Sequence, residues 1–300
     1  METRGQGEAE THLDVVVLAS GVNAIPLYEG YVPGYKSLIP FRGRASVHYT
    51  LDALDALPEI RNICVEGPPE ELERELADRR TASGGGRIRI IEGGSTFLDS
   101  LAIGLKHFHA SRSVLFITAD APLIRPSAVR EFLAGCAAAT PTGYEHDLFV
   151  SVAPRTSFTG PYRGFTKPFN TFRDVAVCHG NLFLLSPKLL DNQDLRERVN
   201  RMYARRKNVL SVVEAFGWKV ALTYVIGAEL LHVVTLKQMA DMASRRLGIG
   251  IVPVLVADPD VTMDVDEADD YEFVRDRLEE RAGAPAGASG SVTERLVQCN

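Results

Sequence analysis

The sequence predicts an α/β protein built on a doubly wound, mostly parallel sheet flanked by helices, with a smaller excursion in the second half. Three observations predict it. Apolar runs rich in β-branched residues recur through the first half, and each is continuous rather than alternating, as a strand buried on both faces requires. Stretches of helical periodicity separate these runs, so strand and helix alternate and the crossovers are right-handed. Beyond residue 147 the alternation loosens, with glycine- and arginine-bearing loop sequence between apolar segments.

The predicted strands of the first half are DVVVLA (14–19), RNICVE (61–66), RIRII (87–91) and SVLFITA (113–119). The predicted helices between and after them are ASVHYTLDALDAL (45–57), PEELERELADRR (69–80), TFLDSLAIGLKHF (96–108) and PSAVREFLAGCAAA (126–139). Pro126 suits a first helical turn, where a missing N–H is not needed. In the second half, DLFVSVA (147–153) and HGNLFLLSP (179–187) read as extra strands around the loop from Arg155 to Arg173. Two helical stretches, 187–206 and 208–216, precede a strand at 219–226. A helix at 235–248, a strand at 251–258 and a terminal helix at 267–282 complete the set. The organisation predicted is one domain over 13–282, between a disordered N-terminus (1–12) and a small, polar, disordered tail (283–300).

Composition narrows the partners. The chain has 300 residues, 45% hydrophobic and 24% charged, with net charge −6, so no positive field draws it onto nucleic acid or an anionic membrane. Its four cysteines form no Cys-x-x-Cys pair. No signal-peptide core and no apolar run near the ~18 residues of a membrane span is present. The expectation is a cytoplasmic protein acting on small molecules, without stable membrane insertion and compatible with a homo-oligomer.

The chemistry centres on acids. In ITADAPLI (117–124), Asp120 stands where the fourth apolar run stops, and ligands of open α/β sheets bind at the carboxyl ends of strands. Such a carboxylate can hold a hard cation such as Mg²⁺ or cap the following turn. A second group, Asp264, Asp266, Asp269 and Asp270, lies in MDVDEADDYEFV. Asp269 and Asp270 suit the first turn of a helix, whose dipole favours acids. Asp264 and Asp266 precede that helix and share one face if the link is extended.

With these residues in view, VVVLASG, GYKSLIPFRGRASVHYTLDAL, IEGGSTFLDSLAIGL, FITADAPLI and MDVDEADDYEFV resemble the successive motifs of the MobA-like nucleotidyltransferases. That group is similar to molybdenum-cofactor guanylyltransferases, methylerythritol-phosphate cytidylyltransferases and sugar-phosphate nucleotidyltransferases. The likeness implies a nucleotide-diphospho-sugar transferase-like, Rossmann-type fold and Mg²⁺-dependent transfer of a nucleoside monophosphate from an NTP to a phosphorylated acceptor. The nucleotide site it implies comprises Leu18, Ala19, Ser20, Gly21, Lys36, Gly93, Gly94, Ser95, Asp99, Ser100, Ala119 and Asp120, with Gly104 also matching. Lys36 in YKSLIP would contact the phosphates, and Asp120, Asp266 and Asp264 would hold the metal. Gly-Gly-Ser-Thr at 93–96 is similar to the cytidylyltransferase version, which points to CTP ahead of GTP. HGNLFLL looks like the acceptor-site strand, with Asn181 as a contact, and the second-half excursion would bind the acceptor. The chain departs from the family between Leu18 and Lys36, where the loop is long and carries scattered glycines and no arginine.

Two basic segments fit an acidic acceptor. GPYRGFTKPFNTFRD holds Arg163, Lys167 and Arg173, and Lys167 is the choice for a second phosphate contact beside Lys36 and Asp120. LRERVNRMYARRKN presents Arg198, Arg201 and Arg205 on one helical stripe, which equally suits a solvated face. His179 is the histidine closest to this chemistry. Two alternatives stay open: a glycosyltransferase, although TADAP lacks the Asp-x-Asp that such an enzyme would carry, and a non-catalytic nucleotide-binding relative. A dehydrogenase is disfavoured because ASGVNA lacks the Gly-x-Gly-x-x-Gly spacing.

Overall fold

The structure is a computed structural model that describes residues 12–82, 86–139, 147–164, 167–191 and 234–283. Strand β1 (Leu13–Leu18) sits inside the main sheet, paired in parallel with β6 (Ile60–Gly67) on one side and β8 (Val114–Thr118) on the other. Beyond β6 lies β7 (Ile88–Glu92), also parallel. Val15, Val16, Val17, Leu115, Phe116 and Ile117 are fully buried, which is why these stretches are apolar at every position. On the other side the order continues from β8 through β11 (Ala176–Leu185) and β9 (Leu148–Pro154) to β12 (Ile251–Leu255), with β10 (Asn170–Thr171) pairing β11. Strand β11 runs antiparallel to both β8 and β9, while β12 is parallel to β9. The strands read at 147–153 and 179–187 are therefore part of the main sheet, and the excursion is confined to the loop between them and β10.

Three short pairings complete the strand set with local roles. After β1, β2 (Val22–Asn23) pairs with β3 (Gly34–Tyr35), turning the long loop of the sequence into a two-stranded ribbon. Then β4 (Pro40–Phe41) and β5 (Arg44–Ala45) form a hairpin across Arg42 and Gly43, whose φ values of 51° and 76° are both left-handed. Two positive φ angles give the turn a twist matching its strands.

Helices α1 (Ser46–Asp55), α2 (Pro69–Glu75), α3 (Ala77–Ala82), α4 (Phe97–His107) and α5 (Pro126–Ala138) follow the predicted order. The single helix expected at 69–80 divides at Leu76 into α2 and α3. Their starts have identifiable causes. Pro69 and Pro126 occupy first turns, and Thr96 caps α4 by accepting the Asp99 N–H at 3.2 Å. Helix α6 (Leu236–Leu247) opens on a capping box between Thr235 and Gln238 and closes on Gly248 at φ 73°. Helix α7 (Ala268–Gly283) ends the described chain. The core on one sheet face gathers Val15, Val17, Leu51, Leu54, Val129 and Phe132; the other holds Val16, Leu105, Val114 and Phe116. A third cluster seats α7 through Val274 and Leu278 against Ile39, Phe41 and Leu123.

Cys64, Cys136 and Cys178 are buried and form no disulfide among the described residues. Among the described residues, no helix is long and apolar enough to cross a membrane. Most of the helical stretch expected at 187–206, including Arg198, Arg201 and Arg205, and all of 208–216 and 219–226 lie outside the described residues, where 187–191 forms a short 3₁₀ turn.

Candidate active site

The chain leaves β1 to build β6 and β7 on one side and then crosses to β8 on the other, so the switch in strand order falls between β1 and β8. A crevice opens at the carboxyl ends of strands at such a point. Leu18 and Thr118 are register partners there, and Leu18 C=O accepts the Ala119 N–H at 2.9 Å, which fixes Asp120 beside the mouth of β1. Ser37 Oγ donates to Ala19 C=O at 2.9 Å and Ser46 Oγ to Ala119 C=O at 2.7 Å, tying both strand ends to the segment that carries Lys36.

The second acidic segment docks here from the far end of the chain. Val265 N–H donates to Asp120 C=O at 3.1 Å, and Asn23 Nδ2 donates to Asp266 C=O at 3.0 Å. Asp120, Asp264 and Asp266 consequently present carboxylate oxygens that all lie within 4.8 Å of one another. Lys36 Nζ stands among them, 3.4 Å from Asp120 Oδ2 and in direct contact with Asp266 Oδ1. Lys167 approaches from the other side, 3.1 Å from Asp264 Oδ1 and 3.2 Å from Asp270 Oδ1. Asp270 also accepts the N–H groups of Asp266 and Glu267, both at 3.0 Å, so it anchors the start of α7 as its sequence position suggests.

The charges respond to this crowding. Desolvation pulls the Lys36 ammonium down, but the carboxylates of Asp120, Asp266 and Asp264 outweigh it and its pKa is raised. Burial acts upward on Asp266, yet the bond and charge of Lys36 prevail and hold that carboxyl below its usual range. Asp264 shifts upward through burial, with Asp120 and Asp266 adding repulsion against the help of Lys167. Asp120 Oδ1 is buried and, among the described residues, has no hydrogen-bond partner. An orphaned acceptor facing two further carboxylates is what a divalent cation would satisfy.

The loops expected to hold a nucleotide meet beside this cluster. Ser20 Oγ and Ser100 Oγ lie 3.3 Å apart, and Gly94 N–H points to Ser100 Oγ at 3.2 Å. Gly93 has no room for a side chain, because a Cβ there would sit 2.7 Å from Ser20 Oγ. Asp99 accepts from Ser95 Oγ at 2.6 Å and Thr96 Oγ1 at 2.9 Å, which lower its pKa. Gly21 lies under the Lys36 stem. Gly104 differs from the expectation: it is buried in α4, where a Cβ would meet Phe116 Cε1 at 2.7 Å and Val16 Cγ2 at 2.9 Å, so it allows close helix–sheet packing.

Under these loops lies Glu66, which the sequence reading passed over. At the end of β6 it is fully buried, accepts the Gly94 N–H on Oε1 at 2.8 Å and, among the described residues, leaves Oε2 without a partner. Burial pushes its carboxyl up to about 7, against the hydrogen bonds of Ser100 and Gly94. A glutamate closing the apolar run RNICVE was the available signal.

The acceptor candidates divide. Lys167 joins the cluster, but as the ion-pair partner of Asp264 and Asp270. Asn181 spends its Nδ2 on Val261 C=O at 3.1 Å. Arg163 and Arg173 are exposed, and among the described residues the ion pairs around the carboxylates come from Lys36 and Lys167 rather than from either arginine. His179 Nε2 lies 2.9 Å from Asn170 Nδ2, and desolvation lowers its pKa.

The model of the MobA-like NTP transferase domain matches residues 16–209. The chain belongs to that family. As a MobA-like protein it is a nucleotidyltransferase by family. A hypothetical transferase from Thermus thermophilus superposes with a TM-score of 0.67 at 25% identity, over 86% of this chain and 99% of that one. The 4-diphosphocytidyl-2C-methyl-D-erythritol synthase of Anaerococcus prevotii shares the fold at TM-score 0.51 and 13% identity, covering 90% of this chain and 97% of that one. So does a CMP:2-keto-3-deoxy-manno-octonic acid synthetase solved with CTP, at 0.54 and 15%, covering 90% and 99%. No curated protein matches the sequence.

Proposed function

We propose that this MobA-like protein transfers a nucleoside monophosphate from an NTP to a small phosphorylated acceptor with release of pyrophosphate. The observation that carries the reading is the meeting of Asp120, Asp264 and Asp266 around Lys36 at the crevice between β1 and β8. In this reaction an acceptor oxygen attacks the α-phosphorus, a new P–O bond forms, and the bond to the pyrophosphate oxygen breaks with its electron pair. Two anions must approach, so positioning and charge neutralisation supply most of the catalysis, and no protein nucleophile is needed.

Three hard oxygen donors and the orphaned Asp120 Oδ1 fit Mg²⁺, which would be held by Asp120 and Asp266 with Asp264 in support. When bound, it would supply Lewis-acid stabilisation to the phosphoryl oxygens. Lys36 would turn its ammonium to the triphosphate as a point charge, and Lys167 would orient Asp264 and offer a second positive charge toward the acceptor phosphate. Ser20, Gly93, Gly94, Ser95, Asp99 and Ser100 would enclose the base and ribose, with Leu18, Ala19, Gly21 and Ala119 forming the floor. Arg163, Arg173 and Asn181 would border the acceptor side. Incubation with each NTP, Mg²⁺ and a panel of phosphorylated acceptors should give pyrophosphate release that Asp120→Ala abolishes. No release across the panel defeats the reading.

A further inference from the structure

We propose that Glu66 selects the nucleobase: its buried carboxylate accepts the exocyclic amino N–H of the base, so the protein takes an amino-bearing NTP and rejects the keto counterpart. The inference rests on the nucleotidyltransferase reading and adds to it the chemical class of the base. Glu66 is 0% exposed; its carboxyl is supported by Gly94 N–H on Oε1 at 2.8 Å and by Ser100, and among the described residues Oε2 has no hydrogen-bond partner. A buried carboxylate oxygen without a donor is costly, and folding retains it where a ligand supplies the missing hydrogen bond.

Its position fits that ligand. Glu66 ends the strand beside β1, and its C=O accepts the Ala19 N–H at 2.7 Å, so it stands under the loop that begins the crevice. Gly94, whose N–H it holds, and Ser20 and Gly93, which lie against each other, are themselves only half-buried. A Cβ on Gly93 would collide with Ser20 Oγ at 2.7 Å and one on Gly94 with Ser100 N at 2.4 Å. A carboxylate has acceptors only, so it pairs with an amino donor and is repelled by a keto oxygen in the same place. Burial pushes the carboxyl up to about 7 against the Ser100 and Gly94 hydrogen bonds, so the accepting form gains ground as pH rises past neutrality.

The test is NTP binding by calorimetry with Mg²⁺ at pH 8, using pairs that differ at the amino position: CTP and UTP, GTP and XTP, ATP and ITP. The expected result is that the wild-type protein favours the amino member of its preferred pair by about tenfold or more, the scale of one base-edge contact. Glu66→Gln offers an amide donor to the keto oxygen, and it should bring that ratio to within about twofold while inorganic tripolyphosphate competes equally well with both proteins. The pair that shows the effect identifies the base. Equal binding within every pair by the wild-type protein overturns the inference, as does a preference that survives Glu66→Gln, and both leave the transferase reading standing. Failure of every NTP to bind overturns both.

Discussion

Lys36 occupies the place among the carboxylates that a divalent cation would take, and replacing it with methionine exposes the competition. Lys36→Met keeps the length of the stem and removes the charge 3.4 Å from Asp120 Oδ2 and in contact with Asp266. For two unit charges at that separation, Coulomb's law gives about 5 kcal/mol at an effective dielectric of ~20 and about 1 kcal/mol in bulk water. Lys36 and Asp120 side chains are 18% and 16% exposed but Asp266 is 53% exposed, so the true figure lies between these limits. A cation entering the wild-type site must displace the ammonium and forfeits part of that energy. If the forfeited part is only that near the bottom of the range, about 1.4 kcal/mol, nucleotide-free Lys36→Met binds Mn²⁺ about tenfold more tightly. The assay is titration of free Mn²⁺ by electron paramagnetic resonance at pH 8, with circular dichroism to check folding. Turnover of the same variant should fall because the triphosphate loses its cation. Unchanged or weaker Mn²⁺ binding by folded Lys36→Met refutes the competition.

Further outcomes follow from the geometry. The Glu66 carboxyl is raised from 4.5 to about 7, so its favourable neutral form is fully present below the lower value, and stability is lost as pH rises through the higher one. Glu66→Gln should flatten that slope and leave the variant up to about 3 kcal/mol more stable than the wild type above pH 7, as urea melts across pH would read. Gly104→Ala drives a methyl into Phe116 and Val16 and should cost about 1–3 kcal/mol by the same melts, with pyrophosphate release per folded molecule preserved. Lys167→Ala strips the cation from Asp264 and Asp270 and should destabilise by about 3 kcal/mol, while Lys167→Arg restores most of it. Losses of equal size in both Lys167 variants would contradict the ion-pair assignment.

The strands of the first half were legible because burial on both faces leaves an unbroken apolar run, as in VVVL before Ala19 and VLFI before Thr118. Strand direction leaves no such trace. Nothing in HGNLFLL distinguishes a parallel from an antiparallel neighbour, so the reversal of β11 between β8 and β9 was out of reach. The division of the 69–80 helix at Leu76 was hidden because its heptad-like pattern continues across the break. Asp120 and Asp266 stood out by position and resemblance, and the structure brings them together. Lys167 was noticed for its charge, but its partners are 97 residues or more away in sequence and its role as an ion-pair partner of Asp264 depended on them. Glu66 was masked because a glutamate closing a strand is far more often a surface residue than a buried one.

The contact between Lys36 and Asp266 spans 230 positions of sequence. Closing so long a span before any reward is slow, so the crevice should mature late in folding, after β1, β6 and β8 have assembled. A chain truncated before Asp264 would carry Asp120 with neither its acidic companions nor the Asn23 tether to Asp266. Under the proposed function, such a fragment would lack two of the three acids that would hold the metal and should release no pyrophosphate.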